Sequence, residues 1–301
     1  MSGEKMNLDI STILNDNKSG SYLITSTVLN SFYKYLQEHE KTTCDIDDIF
    51  EEIQSGAKTL IKHQSNMVLL RRYCYTFLNY FKKLQTGDDS RKGIIKNLLS
   101  KISEFENELR ENLENVALNG LKTIANYNKI LTVSNSHLVW HLLFKADEQN
   151  RKFEVFCLKS DPPGEGVVLA EMLAKSGIKT TLVADSQAGI IMDQMNMVLL
   201  GADRLYETGF VNKSGTLSTC LLAKQFNIPV YLAAETTKIL KESERSIKSA
   251  ERDASEVYNK QNNIEVINSY YEKIPLDLVQ KVICEGGVFE TPEFISWHLG
   301  E

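Results

Sequence analysis

Polar side chains follow each of five short apolar runs in the second half of the chain. The runs cover 129–133, 153–158, 179–184, 197–200 and 230–234. Their composition is typical of buried parallel strands, and ligands bind at the carboxyl ends of such strands. We therefore expect one edge of the sheet to carry a polar site. The residues that follow the runs are Ser134, Asn135, Ser136, Ser160, Asp185, Asp203, Glu235 and Lys238.

A second candidate for chemistry is the stretch Asn212-Lys213-Ser214-Gly215-Thr216, which precedes a predicted helix. Free backbone N–H groups at a helix start, together with a lysine and hydroxyls, suit a phosphate or another anion. An ordinary serine cap after a turn explains the same residues equally well. The stretch is not a P-loop, because the glycines of that motif are missing. We expect an anion site here.

Three other patterns of glycine, histidine and cysteine residues do not match a known binding motif. Gly164 and Gly166 lack the third glycine of a dinucleotide-binding turn. His137 and His141 are four residues apart but have neither the acidic neighbour nor the third ligand of a zinc site, so a buried or capping role is expected. The five cysteines are scattered, without a CxxC pair. The sequence predicts neither a metal nor a cofactor.

The elements that must position these residues fall into two regions. The first 161 residues contain no proline, and apolar positions recur at helical spacing from 67 to 81 and from 95 to 124. Two further helices are predicted at about 24–40 and 45–63. In the second region the five strands alternate with helices at about 136–147, 165–176, 187–195 and 215–227. The predicted fold is α/β, with an N-terminal helical domain (1–125) followed by a Rossmann-like parallel-sheet domain (126–301). The polar segment 243–262 could be an exposed helix or a loop.

Composition excludes several classes of protein. Of 301 residues, 42% are hydrophobic and 25% are charged, as in ordinary globular chains. No run approaches the length of a membrane helix, and residues 1–7 lack the apolar core of a signal peptide. The net charge of −6 argues against direct nucleic-acid binding. We expect a cytoplasmic protein with reduced thiols.

The sequence resembles a known family in several of these segments. Leu199-Leu-Gly-Ala-Asp203, Gly209, Val211-Asn-Lys-x-Gly-Thr216 and Ile228-Pro-Val-Tyr-Leu-Ala-Ala-Glu235 look like the translation initiation factor 2B alpha/beta/delta family. That family also contains methylthioribose-1-phosphate isomerase and ribose-1,5-bisphosphate isomerase. The resemblance implies a helical domain followed by a Rossmann-like domain. It also implies a homo-oligomer, at least a dimer, with contacts around 180–240 and the C-terminal tail.

The resemblance also implies roles for individual residues. The isomerases carry a cysteine in a Thr-His-Cys-Asn string, and here Ser134 replaces it within Thr132-Val-Ser-Asn135. Asp203 keeps their acid/base aspartate, and Asn212, Lys213 and Thr216 are also retained. Their phosphate-binding Arg-Gly-Ala is matched to Ser55-Gly56-Ala57, without a guanidinium. Asp161 stands where a further arginine is expected, which disfavours a phosphosugar substrate.

Two functions follow from these matches. The first is a non-catalytic, initiation factor 2B-like subunit that acts by assembly with translation-factor partners, with a strand-end pocket for a small phosphorylated ligand. The alternative is a sugar-phosphate aldose–ketose isomerase with Asp203 as acid/base and Ser134 as a polar stand-in for the cysteine. In either case the expected ligand-binding residues are Asn135, Ser136, Ser160, Asn212, Lys213, Gly215, Thr216, Lys238, Gly56 and Ala57. We also expect Lys213→Glu to abolish anion binding and to leave the fold intact.

Overall fold

The computed structural model describes residues 7–240, 252–259 and 263–299. Residues 1–6 and most of the polar segment 243–262 lie outside these ranges, so the expectations about both stay untested. The helices are α1 (Ser11–Leu14), α2 (Ser21–His39), α3 (Ile46–His63), α4 (Val68–Gln85), α5 (Arg91–Gly120), α6 (His137–Glu148), α7 (Gly166–Lys175), α8 (Ala188–Ile191), α9 (Thr216–Gln225) and α10 (Thr291–Phe294). The strands are β1 (Asn128–Thr132), β2 (Phe153–Leu158), β3 (Lys179–Val183), β4 (Met197–Gly201), β5 (Arg204–Tyr206), β6 (Gly209–Lys213), β7 (Val230–Ala233), β8 (Tyr271–Pro275), β9 (Lys281–Cys284) and β10 (Gly287–Glu290).

The helical region forms around one apolar core. Helices α2 to α5 place their apolar stripes inward, and Phe32, Phe77 and Phe81 are fully buried there. Side chains fix where two of these helices begin: Asp45 accepts the backbone N–H of Asp47, and Ser90 accepts that of Gly93. The four helices predicted in this region are confirmed.

The main sheet has seven strands in the order β10-β9-β7-β4-β1-β2-β3. All neighbours are parallel except β9 and β10, which are antiparallel. The five predicted strands are present, and so is the predicted α/β architecture. Strands β5, β6 and β8 form a separate antiparallel sheet that the sequence analysis did not predict.

Strand β3 differs from expectation. The apolar run at 179–184 was predicted to be buried on both faces, but β3 is an edge strand and only Val183 of its five residues is buried. Lys179, Thr180 and Thr181 are polar, as suits an edge that water reaches. The prediction of two-sided burial is therefore wrong for this strand, whereas every residue of β4 is buried.

The long helix α5 contributes to two cores. Its first half, from Ile94 to Leu109, belongs to the helical core, whereas Leu113, Val116 and Ala117 pack with strands of the main sheet. The proposed division into 1–125 and 126–301 therefore cuts just behind a helix that both regions share. Within the described ranges, no helix combines the length and hydropathy needed to cross a bilayer.

Candidate functional site

A narrow cavity lies at the carboxyl ends of β1 and β4. These two strands mark the point where the strand order reverses, which is where open α/β sheets bind ligands. About 50 Å³ is open to the centre of a water molecule, enough for a few waters. Its walls come from the start of α2, the loops after β1, β4 and β7, and the β6–β8 sheet. The lining residues are Asn17–Tyr22, Met67, Ser134–Leu138, Glu165, Gly201–Asp203, Asn212, Glu235, Lys238, Tyr270 and Tyr271.

Ser134 is the second residue of the loop after β1 and has a left-handed conformation, with φ of 71°. Its backbone N–H donates to the Ser160 hydroxyl at 2.8 Å. Ser160 and Asp161 in turn donate their backbone N–H groups to the Asp185 carboxylate, at 2.8 and 3.0 Å. Ser160 therefore connects the loops after β1, β2 and β3. It is not one of the residues that line the cavity. This backbone conformation holds Ser134 at the cavity wall.

Lys213 and Glu165 form a buried ion pair at that wall, and of the two only Glu165 lines the cavity. The Lys213 Nζ lies 3.2 Å from Glu165 Oε1, and the two side chains are 4% and 7% exposed. The ammonium also donates to the Pro162 carbonyl at 2.6 Å and lies 3.9 Å from the centroid of the Tyr270 ring. Ser134 Oγ donates to Glu165 Oε1 at 3.0 Å. Burial raises the pKa of Glu165 and lowers that of Lys213, and the attraction between them offsets part of both shifts.

This pairing changes two expectations about Lys213. Its ammonium is already engaged and is not among the groups that line the cavity. A glutamate at this position would also bury a second carboxylate beside Glu165, which is costly. The expectation that Lys213→Glu leaves the fold intact therefore does not fit this environment.

The start of α9, where an anion site was expected, carries its own carboxylate. Glu272 Oε1 accepts the backbone N–H of Leu217 at 2.8 Å. Asn212 donates to the Thr216 hydroxyl, which donates to the Lys213 carbonyl, and Gly215 supplies a positive φ of 96°. Of these residues only Asn212 lines the cavity.

Gly56 and Ala57 lie in the middle of α3, away from the cavity. A Cβ on Gly56 would come within 2.6 Å of the Leu8 side chain, and Ala57 belongs to the helical core. Neither residue lines the cavity, and close helix packing explains both small side chains, so their assignment as ligand-binding residues stays a prediction.

Residues at the start of α2 line the cavity, in contrast to Gly56 and Ala57, and they were not among the residues predicted from the sequence. Gly20 approaches the Asn135 carbonyl so closely that a Cβ would be 2.7 Å from its oxygen. Asn135 also donates its side-chain amide to the Lys18 carbonyl at 2.9 Å. Among the described residues no side chain caps the start of this 19-residue helix. The signal in the sequence was Gly20-Ser21 directly before an apolar helical stripe, with no aspartate or asparagine in the cap position.

Two further carboxyl groups and one lysine line the cavity. Asp203 follows β4, and burial raises its pKa, although Lys238, Arg204 and Lys213 pull in the opposite direction. Glu235 is fully buried, its pKa is raised by burial, and no described residue is hydrogen-bonded to its Oε1. Lys238 is 5% exposed, and within the described ranges no hydrogen bond or ion pair engages its Nζ.

His137 is the first residue of α6 and reaches the cavity beside Ser136, whose hydroxyl caps that helix. Its ring stacks on Tyr22, with centroids 4.8 Å apart and planes 8° from parallel. Burial lowers the pKa of His137 to about 4, so the ring is neutral at pH 7. His141 pairs instead with Glu114 at 2.8 Å. Among the described side chains no group of three or more acidic, histidine or cysteine residues could hold a metal ion.

Together these features define a class: a Rossmann-like α/β protein with an N-terminal helical region, whose polar cavity lies at the switch point of the sheet. The family model called "Initiation factor 2 subunit family" matches residues 17–291, and the chain belongs to that family. The family relationship inferred from the sequence motifs is thereby confirmed.

Named relatives point in two functional directions. The chain is 40% identical over 114 residues to "Translation initiation factor eIF2B subunit alpha" of Caenorhabditis elegans, a match that covers 38% of this chain and 37% of the worm protein. It is 27% identical over 245 residues to "Ribose 1,5-bisphosphate isomerase" of Archaeoglobus fulgidus, which covers 79% and 76%. The crystal structure of the Pyrococcus horikoshii translation initiation factor eIF-2B has the same fold, with a TM-score of 0.77, 24% identity and coverage of 94% and 96%.

Proposed function

We propose that this chain is a non-catalytic initiation factor 2B-type subunit that assembles with further subunits and binds a small phosphorylated ligand in its strand-end cavity. One observation carries the non-catalytic part. Ser134, which stands where the isomerases carry a cysteine, is hydrogen-bonded to a glutamate that Lys213 already neutralises. A hydroxyl held in this way has no ionisation near neutral pH, whereas a thiol can be tuned there.

The anion of the ligand fits the start of α2 better than the start of α9. Helix α2 leaves the first backbone N–H groups after Gly20 without intrahelical partners, and no side chain in the described part of the chain caps them. Lys238 lines the same cavity, where its positive charge acts on Asp203 and Glu235, and no hydrogen bond from its Nζ is seen among the described residues. A phosphate would therefore meet a helix N-terminus and a lysine together, and Asp203, Glu235 and Asn212 would accept or donate to hydroxyl groups.

A second function remains open because of Asp203. This aspartate lines the same cavity as Ser134, and its raised pKa brings it closer to the range that acid/base catalysis needs. An aldose–ketose isomerase would use Asp203 as acid/base, with Ser134 as the second polar group.

An isomerase assay decides between the two functions. We expect no enzymatic turnover of ribose 1,5-bisphosphate or methylthioribose 1-phosphate when the ketose products are followed by NMR, because Ser134, which stands in the place of the isomerases' cysteine, has no ionisation near neutral pH. Turnover above about 1 per second that disappears in Asp203→Asn would contradict the non-catalytic reading. A shift of the melting temperature by ribose 1,5-bisphosphate that Lys238→Met removes would support the ligand site.

The assembly part of the proposal predicts at least a dimer. Exposed apolar side chains occur along the region around 180–240, including Leu182, Ile190 and Leu221, and larger apolar patches usually mark contacts. Sedimentation velocity at micromolar concentration should show a species larger than the 34.1 kDa chain. A monomer alone would contradict assembly with itself. We also propose a cytoplasmic location and translation-factor partners.

A further inference from the structure

Two of the charged residues that line the cavity are presented by one short turn. Glu235 and Lys238 both line the cavity, and the turn Thr236–Lys238 follows directly after Glu235 at the end of β7. Glu235 is fully buried and Lys238 is 5% exposed. The backbone N–H of Lys238 donates to the Glu235 carbonyl at 3.1 Å. A displacement of this turn would therefore move a carboxyl group and an ammonium group of the cavity together.

Glu285 holds this turn from the neighbouring strand. It directly follows β9, which is parallel to β7, so the residues after the two strands lie at the same edge of the sheet. Both oxygens of the Glu285 carboxylate accept the backbone N–H of Thr236, Oε1 at 3.2 Å and Oε2 at 3.1 Å. Oε1 also accepts the Thr236 hydroxyl. The carboxylate thereby satisfies an N–H group at the start of the turn that the turn itself leaves without a partner.

Two helices of the N-terminal region hold the backbone on both sides of this contact. Asn119, near the end of α5, donates its side-chain amide to the Cys284 and Glu285 carbonyls at 3.0 and 3.1 Å. Arg72 of α4 donates to the Ile239 carbonyl at 2.9 Å, one residue beyond the turn. The Glu285 carboxylate is therefore attached to a backbone that is itself fixed, as a residue that positions others requires.

Glu285 also acts on the cavity through its charge. Burial raises the pKa of Glu235, and the positive charge of Lys238 opposes this shift. The negative charges of Glu285 and Glu108 raise the same pKa further. Thr237 donates its hydroxyl to Glu235 Oε2 at 3.1 Å, whereas Oε1 has no hydrogen-bond partner among the described residues. Glu285 thus combines a contact with the turn and an electrostatic effect on a group in the cavity.

We propose that Glu285 is a positioning residue for the cavity: its carboxylate fixes the turn so that Lys238 and Glu235 face a bound ligand together. Glu285 does not line the cavity itself, and it acts through the two residues that do. This role rests on the ligand site of the proposed function. The contact with Thr236 nevertheless exists in the ligand-free protein, so it can be measured whether or not a ligand binds.

The first test replaces Glu285 in the ligand-free protein and follows hydrogen exchange of the Thr236 amide by NMR. Glu285→Ala removes the acceptor, so exchange should become about tenfold faster, as expected for the loss of a hydrogen bond to a charged group. Glu285→Gln keeps a side-chain oxygen within reach of the amide, so exchange should rise no more than about threefold. Amides of β4 should exchange as before in both variants, which would show that the fold is intact.

A second readout separates this role from a merely structural one. Glu285→Gln removes a negative charge near Glu235, so the pKa of Glu235 should fall when its carboxyl carbon is titrated by NMR. Glu290→Gln is the matched control, because Glu290 lies on the next strand, β10, and makes an ion pair with Lys281 at 3.1 Å. The control should change neither readout. Normal exchange at Thr236 in Glu285→Ala, or an unchanged titration of Glu235 in Glu285→Gln, would overturn the proposal.

The third measurement is calorimetric binding of ribose 1,5-bisphosphate. Glu285→Ala should weaken the affinity about tenfold, because Lys238 is no longer held toward the ligand, whereas Glu285→Gln should stay within about threefold of the unmodified protein. If the unmodified protein does not bind this probe, the ligand site of the proposed function fails, and the two ligand-free readouts decide the role of Glu285. Equally tight binding by the unmodified protein and Glu285→Ala would overturn the positioning role while the ligand site stands.

Discussion

Replacing Lys213 with methionine should lower the free energy of unfolding by about 3–5 kcal/mol. The substitution leaves the Glu165 carboxylate buried at 5% exposure without its counter-ion, and Glu165 Oε2 already has no hydrogen-bond partner among the described residues. The loss should also depend on pH. Without Lys213 the pKa of Glu165 rises further, so the folded state binds a proton that the unfolded state has already released. Stability should therefore fall as pH rises from the ordinary glutamate range through this raised pKa.

Chemical denaturation at several pH values measures this effect. Lys159→Met is a matched control, because Lys159 makes an ion pair with Asp161 at 2.7 Å in which both side chains are nearly half exposed. That variant should lose less than about 1 kcal/mol. The double variant Lys213→Met/Glu165→Leu should regain part of the loss, since no buried charge is left. A cost for Lys213→Met no greater than that of Lys159→Met would show that the buried pair contributes little.

Gly166→Ala should be destabilising by about 3 kcal/mol. Gly166 begins α7 where the helix crosses the end of β2, and an added Cβ would lie 1.9 Å from the Leu158 carbonyl oxygen. Because that neighbour is backbone, the helix itself must shift. Glu165 precedes this glycine, so the shift should also loosen its contact with Lys213.

Thermal and denaturant unfolding of Gly166→Ala check this prediction against Gly189→Ala. Gly189 lies in the short helix α8 and would give a Cβ nothing to meet within 4 Å. The control should be neutral or slightly stabilising, since alanine is the better helix former. Equal stability of the two variants would mean that α7 adapts without cost.

The sequence predicted well those helices and strands in which apolar residues recur at regular spacing. Strand β4 and helix α5 are apolar at the positions that the periodicity requires, and both were predicted close to their observed bounds. The β5–β6–β8 sheet was missed for a physical reason. Asn212 and Lys213 are polar residues in a buried strand, and they are satisfied by Thr216 and Glu165 rather than by water. A buried strand with polar residues whose partners are distant in sequence lacks the alternation of apolar and polar residues by which a strand is recognised.

The candidate site divides in the same way. The strand-end rule correctly brought Ser134 and Asp203 to one cavity, because the ends of neighbouring parallel strands must meet. It could not show that Lys213 turns away from that cavity, since its partner Glu165 is 48 residues earlier in the chain. The contribution of Gly20 was equally hidden, because only the packing of α2 against the loop after β1 brings it near Asn135.

Helix α5 has a mechanical consequence. At 30 residues it is about 45 Å long, and it is a continuous rod embedded in both halves of the molecule. If the chain were cut after residue 125, Leu113, Val116 and Ala117 would lose the strands they pack against. The sheet region would then expose the apolar surface that these residues cover. The helical region and the sheet region therefore share one helix in their cores. We expect a displacement of one region to move the other, because α5 is rigid along its length.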